Sequence, residues 1–194
     1  MKQKVLFLSG NWKMIRDAAI YKRTYNPVPI ESNGCRRLGI KPVAFTDGPR
    51  GVVMGNSTCF PVSMARAASF DRALEREIGE AIGREARAQG ANYFAGVCIN
   101  VARNPRWGRT QESYGEDPYL LGEMGKALTV AVQEEGMIAC VKHFALNSME
   151  DLRFYIDVHI DDRALHEIYL PHFKKCVDAG AQCVMSAYNR YEEY

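Results

Sequence analysis

Met137-Ile138-Ala139-Cys140-Val141 is an unbroken apolar run that ends abruptly on Lys142-His143. A short run without polar alternation marks a strand buried on both faces, and such strands belong to parallel sheets covered by helices. Burial disfavours the charged form of a lysine or an imidazole. Lys142 and His143 therefore face either a ligand site or solvent at the strand end. In α/β folds that position, beyond the carboxyl ends of parallel strands, is the usual ligand crevice.

The rest of the chain repeats the theme. Pro42 to Thr46 reads as a short strand, followed by the Gly/Pro turn Asp47-Gly48-Pro49-Arg50-Gly51. Asp47 there either caps the turn or points into the crevice. Asp71 to Gln89 reads as a helix capped by Asp71 and closed by Gly90, with Leu74, Ile78, Ala81 and Ile82 on one face and a Glu80/Arg84 pair on the other. Tyr93 to Val97 is the next strand. A helix follows Asp117, with Pro118 at its first position, where a missing N–H is harmless. Leu121, Met124, Leu128 and Val132 form its apolar stripe, and Gly136 ends it. Phe154 to Val158 reads as a short strand or extended arm. Asp161 or Asp162 then caps a helix running to Val177, with Leu165, Ile168, Tyr169, Phe173 and Val177 inward and Pro171 as a kink or break. His166 and His172 on it are surface or interhelical residues. Val184 to Ala187 is the last strand, and Tyr188-Asn189 takes the crevice position again. Strand and helix alternate throughout, which argues α/β with a parallel sheet. Only about four or five strands are present where a (β/α)8 barrel needs eight and typically ~250 residues. The fold expected is a partial (β/α)8 TIM-type barrel, about the first half.

Residues 1–37 are the least regular part, and residues 38–194 are expected to be the barrel piece. Val5 to Leu8 is either a short strand or a helix end. Gly10-Asn11-Trp12-Lys13-Met14 has the look of the start of triosephosphate isomerase but is too short to carry an assignment. Asn26-Pro27-Val28-Pro29 and Asn33-Gly34 are turn signals. The opening apolar run is too short for the core of a secretory signal, so a cytoplasmic location is expected. A formal net charge of +2 gives no reason to expect a nucleic acid or a membrane as partner. The six cysteines include no C-x-x-C pair and no His/Cys group with zinc spacing, which points to free thiols, no metal and no cofactor.

The most polar stretch, Asn104 to Pro118, lies between the Tyr93 strand and the next helix. It gathers Arg106, Arg109, Glu112, Glu116, Trp107 and Tyr114. Guanidinium donors, carboxylate acceptors and aromatic faces together suit a sugar. An ion-paired surface crossing would use the same residues.

In order along the chain stand Thr46-Asp47-Gly48-Pro49-Arg50-Gly51, Cys59-Phe60-Pro61, Asn104-Pro105 through Gly108-Arg109, Glu112-Ser113 with Gly115-Glu116-Asp117-Pro118, Lys142-His143-Phe144, Asn147 with Glu150 and Arg153, and Ser186-Ala187-Tyr188-Asn189. With these motifs the chain resembles glycoside hydrolase family 3, the β-glucosidase/β-xylosidase group, from about Leu38 to Asn189. The resemblance implies a retaining glycosidase whose −1 subsite is held by Asp47, Arg109, Lys142 and His143, with Tyr188 lining it. The Phe-Ala-Leu-Asn run after His143 favours the β-glucosidase-type branch over the N-acetylglucosaminidase branch. Retaining enzymes need two carboxylates about 5–5.5 Å apart. In this family the nucleophile is the Asp of a Ser-Asp-Trp-like motif on a later strand, and in this branch the acid/base comes from a following domain. Neither motif is present, and Glu192 and Glu193 do not stand in for them. The resemblance therefore implies substrate-binding residues without catalytic ones, with the missing half of the enzyme as partner. A carbohydrate-binding module without turnover, or a fragment without function, is the alternative.

Overall fold

The computed structural model describes residues 27–192 apart from Asn33. Val5 to Leu8, Gly10 to Met14, Asn26, Asn33 and Glu193 lie outside the described residues. The strands are β1 (Ile30–Glu31), β2 (Ala44–Asp47), β3 (Tyr93–Cys98), β4 (Ile138–Phe144), β5 (Asp157–Val158), β6 (Cys183–Ser186) and β7 (Arg190–Tyr191). The main sheet has the order β1-β2-β3-β4-β6, and β5 pairs with β7 in a separate two-stranded ladder. From β2 onward the main sheet is parallel, and β1 is an antiparallel edge. Each parallel strand reaches the next through helix, as the alternation requires. This is an open segment of a (β/α)8 barrel.

The helices are α1 (Ser63–Ala67), α2 (Arg72–Ala88), α3 (Pro118–Glu134), α4 (Asp162–Ala164) and α5 (Pro171–Asp178). The Asp71 carboxylate accepts from the Ala73 and Leu74 amides, and Asp117 accepts from the Tyr119 amide, so both expected caps are in place. Helix α3 lies between α2 and α5 and covers β3 and β4. Its stripe of Leu121, Met124, Leu128 and Val132 is fully buried, together with Phe94, Val97 and Val141 from the sheet.

Three local expectations need correction. The buried face of α2 is Glu75, Ile78, Gly79, Ile82, Gly83 and Ala86, and Leu74 is exposed. Close approach of α3 explains the rotation. A Cβ on Gly79 would stand 2.7 Å from that of Ala131, and one on Gly83 would stand 2.6 Å from that of Glu135. Only glycine lets the two helices touch there. The helix expected through Val177, with Pro171 as a kink or break, is broken there as expected, but its inward face differs. It starts at Asp161, widens to a π-turn over Leu165–Tyr169, and restarts at Pro171, whose ring cannot continue the preceding helix. Val177 on its last turn is exposed, while Phe173 and Cys176 carry the contact. The arm expected over Phe154 to Val158 is a strand only at Asp157–Val158.

Candidate functional site

Asp47 ends β2, Lys142 and His143 stand near the end of β4, Arg109 is in the loop after β3, and Tyr188 follows β6. All of them lie at the carboxyl end of the sheet. Lys142 belongs to β4 itself, so the strand runs further than the apolar residues alone. Its Nζ donates to the Asp47 Oδ1 at 2.7 Å, tying β4 to β2 across the intervening β3. The lysine side chain is 3% exposed and the aspartate 33% exposed. Asp47 Oδ1 also accepts from the Gly48 amide at 3.0 Å, so the aspartate caps its turn and faces the crevice at once. Among the described residues Asp47 Oδ2 has no hydrogen-bond partner.

His143 is held by Asn100, just beyond β3. The His143 amide donates to Asn100 Oδ1 at 2.9 Å, and Asn100 Nδ2 donates to the His143 carbonyl at 2.8 Å. Those two backbone contacts fix which end of the Asn100 amide is oxygen. His143 Nδ1, 2.9 Å from the same Oδ1, must therefore carry the proton. Nε2 is left as an acceptor, and Arg109 Nη1 donates to it at 2.9 Å. Burial, followed by the nearby Arg109, Lys142 and Arg153 charges, pushes the imidazole down to about 3. His143 is thus a neutral ring that aims a guanidinium. It is not a free donor.

Arg109 is gripped from three sides. Nε and Nη2 donate to the two oxygens of Glu112 at 2.9 and 2.6 Å, a bidentate fork. Nη1 reaches Glu150 at 3.4 Å in addition to His143. Burial works against its charge, but the Glu112 bonds and the neighbouring acidic groups hold it above the ordinary value. One Nη2 hydrogen remains without a partner among the described residues. Cys98 lies beneath this group. Burial pushes its thiol up to about 11, with Glu112, Lys142 and Arg109 all close enough to act on it.

Tyr188 reaches the cluster indirectly. Arg153 donates to Glu150 at 2.8 Å and lies over both the Tyr188 ring, 4.9 Å from its centroid, and the Phe154 ring at 5.0 Å. The order of contact is Arg109, Glu150, Arg153, Tyr188. The loop aromatics behave differently from the expectation: Trp107 and Tyr114 are buried and offer no face to a sugar. Tyr114 instead donates to Glu75 Oε1 at 2.5 Å, and Arg66 pairs with Glu75 at 3.1 Å while donating to the Pro49 carbonyl at 3.0 Å. This buried triad fastens the turn that carries Asp47 to α1, α2 and the Arg109 loop.

Among the described residues no group of three or more His, Cys, Asp or Glu could hold a metal, and no helix is long and apolar enough to cross a membrane. An apolar hollow of about 690 Å³ lies between α5 and the β6 edge, lined by Phe144, Leu170, Phe173, Val177 and Val184, away from these polar groups.

The profile of the "Glycosyl hydrolase family 3 N terminal domain" matches residues 29–194. The chain belongs to glycosyl hydrolase family 3. It is 41% identical to beta-glucosidase BoGH3A of Bacteroides ovatus, over 86% of this chain and 24% of that protein. It is 39% identical to the thermostable beta-glucosidase B of Acetivibrio thermocellus, over 79% of this chain and 22% of that protein. Among solved structures, beta-glucosidase 3B from Thermotoga neapolitana in complex with glucose superposes with a TM-score of 0.82 at 36% identity, covering 84% of this chain and 25% of that one. DesR, a beta-glucosidase from Streptomyces venezuelae in complex with D-glucose, gives 0.81 at 33% identity, covering 84% of this chain and 21% of that one. The family 3 chain therefore spans about a quarter or less of the length of these relatives.

Proposed function

We propose that this chain forms the glycone-holding part of a β-glucosidase-type site. The observation that carries the reading is the Lys142–Asp47 ion pair standing beside the Arg109–His143–Asn100 network at one end of the sheet. Asp47 Oδ2 would accept from adjacent sugar hydroxyls. Among the described residues Lys142 keeps two N–H donors beyond the one given to Asp47, and Arg109 keeps one. Charge-assisted bonds of this kind are short and directional, and they fix the ring in one orientation. Tyr188 would lie along the ring's edge, oriented by Arg153.

The same geometry argues against a complete hydrolytic centre within these residues. Hydrolysis with retention needs a free nucleophilic carboxylate and a second carboxyl that carries a proton. Asp47, Glu112 and Glu150 are the carboxylates in this cluster, and each is engaged by Lys142, Arg109 or Arg153. They position cations. The beta-glucosidases that resemble this chain are several times longer, which agrees with further residues being supplied from outside it.

The test is hydrolysis of p-nitrophenyl β-glucoside. The 194-residue chain is expected to release nitrophenol no faster than buffer, and mixing it with the remaining portion of a related β-glucosidase should produce turnover that Lys142→Ala lowers by roughly 2–4 kcal/mol in kcat/KM. Robust turnover by the chain alone, abolished by Asp47→Ala, would mean that Asp47 is a catalytic carboxylate and that the reading is wrong.

A further inference from the structure

Cys140 and Cys183 face each other as paired residues on the adjacent parallel strands β4 and β6. Neighbouring strands run about 4.7–4.9 Å apart, which falls inside the Cα separation of roughly 4.4–6.8 Å that a disulfide spans. Paired residues of a ladder project from the same face, so the thiols lie side by side. The Tyr93 hydroxyl, from β3, meets the Cys183 Sγ at 3.0 Å. Tyr93, Cys140 and Cys183 lie close enough for their charges to act on one another. Cys140 is buried, whereas Cys183 on the edge strand is partly open to solvent. No step of the proposed sugar binding uses any of the three groups.

We propose that Cys140 and Cys183 are an oxidation site that closes to a reversible disulfide on exposure to a hydroperoxide. The Cys183 sulfur attacks one peroxide oxygen, the O–O bond breaks, and the thiol becomes a sulfenic acid with release of water. The Cys140 sulfur then attacks the Cys183 sulfur, the S–O bond breaks, and the thiol proton leaves with the hydroxyl as a second water. Two thiols are oxidised to one disulfide, and one hydrogen peroxide is reduced to two waters. Partial exposure makes Cys183 the first point of attack, and burial makes Cys140 the resolving partner. The bond would staple β4, two residues before Lys142, to the strand that leads into Tyr188.

Burial, the first of the influences on it, pushes the Cys140 thiol up to about 12. The resolving step should therefore be slow near neutrality and quicken between about pH 7 and about pH 9 as thiolate becomes available. The experiment treats the reduced 194-residue chain with hydrogen peroxide, traps remaining thiols with N-ethylmaleimide and maps the digest by mass spectrometry. The expected product is an intrachain link between the peptides containing Cys140 and Cys183. It should lack the mass of two hydrogens, be reversed by dithiothreitol and be absent from Cys183→Ser. Conversion of Cys183 to the sulfinic acid with Cys140 still alkylated would overturn the proposal. So would a link from Cys183 to Cys35, Cys59 or another chain. The mapping of the unsubstituted chain decides the matter even if the serine variant folds poorly.

Discussion

His143 and His172 are both buried imidazoles, and both are held neutral. Burial, with the Arg109 and Lys142 charges, pushes His143 down to about 3; burial pushes His172 down to about 4. An unfolded imidazole takes up its proton near 6.5, so between that value and the folded ones the unfolded chain binds more protons than the folded chain. Stability should be fully present above about pH 6.5 and decline as pH falls toward about 3–4. Urea unfolding across that range should show the midpoint dropping, and His172→Gln should flatten the slope. A midpoint independent of pH in both proteins would contradict the burial of these rings. Asp47, Arg109, Lys142 and His143 were all legible in the sequence, because each is a charged or titratable residue against an apolar strand or in a polar loop. Asn100 was not singled out. Its only signal is a single polar residue inside the apolar stretch from Phe94 to Val101, and an amide in such a place must spend its donors and acceptor on something specific. Its three bonds to His143 could not be inferred without knowing that β3 and β4 are neighbours.

Among the elements, the strands β2, β3, β4 and β6 and the caps followed from local rules, and facing did not. Asp71 and Asp117 cap as their positions require. The rotation of α2 depended instead on what α3 places opposite it. Glu75 shows the consequence: a carboxylate on this helix is fully buried, where desolvation raises its pKa and Arg66 and Tyr114 pull it back. Removing one member of a buried pair leaves the other charge unsolvated. Glu75→Ala should destabilise the fold by roughly 3–5 kcal/mol, and Tyr114→Phe by roughly 1–3 kcal/mol. Denaturant unfolding of the two variants checks the order, and a Glu75→Ala protein as stable as its parent would contradict the role of the triad. Arg66 also holds the Pro49 carbonyl, so Glu75→Ala should loosen the Asp47 turn as well. The division of the last helical segment was readable from Pro171; the π-turn before it was not, since nothing local distinguishes Leu165–Tyr169 from an ordinary helix.

At the scale of the molecule, the sheet is open on the β6 side among the described residues, because β7 pairs with β5 rather than with β6. An edge strand offers unpaired N–H and C=O groups to any other strand, whereas a closed barrel has none. Beside that edge, Phe144, Val177 and Val184 are exposed and the α5 groove is apolar. Contiguous apolar surface next to an open edge favours association. Sedimentation of the purified chain should show self-association that rises with concentration, and a monomer at every concentration would show that this edge is covered in solution.

Sugar capture is the central claim, and titration of glucose into the chain, followed by NMR shift changes, tests it directly. The account predicts saturable binding with a dissociation constant of about 1 mM or weaker, centred on residues around Asp47, Arg109 and Lys142, and lost in Asp47→Ala and Lys142→Ala variants that retain the parent's spectrum. Absence of any saturable shift, or equal affinity in the parent and both variants, would contradict it.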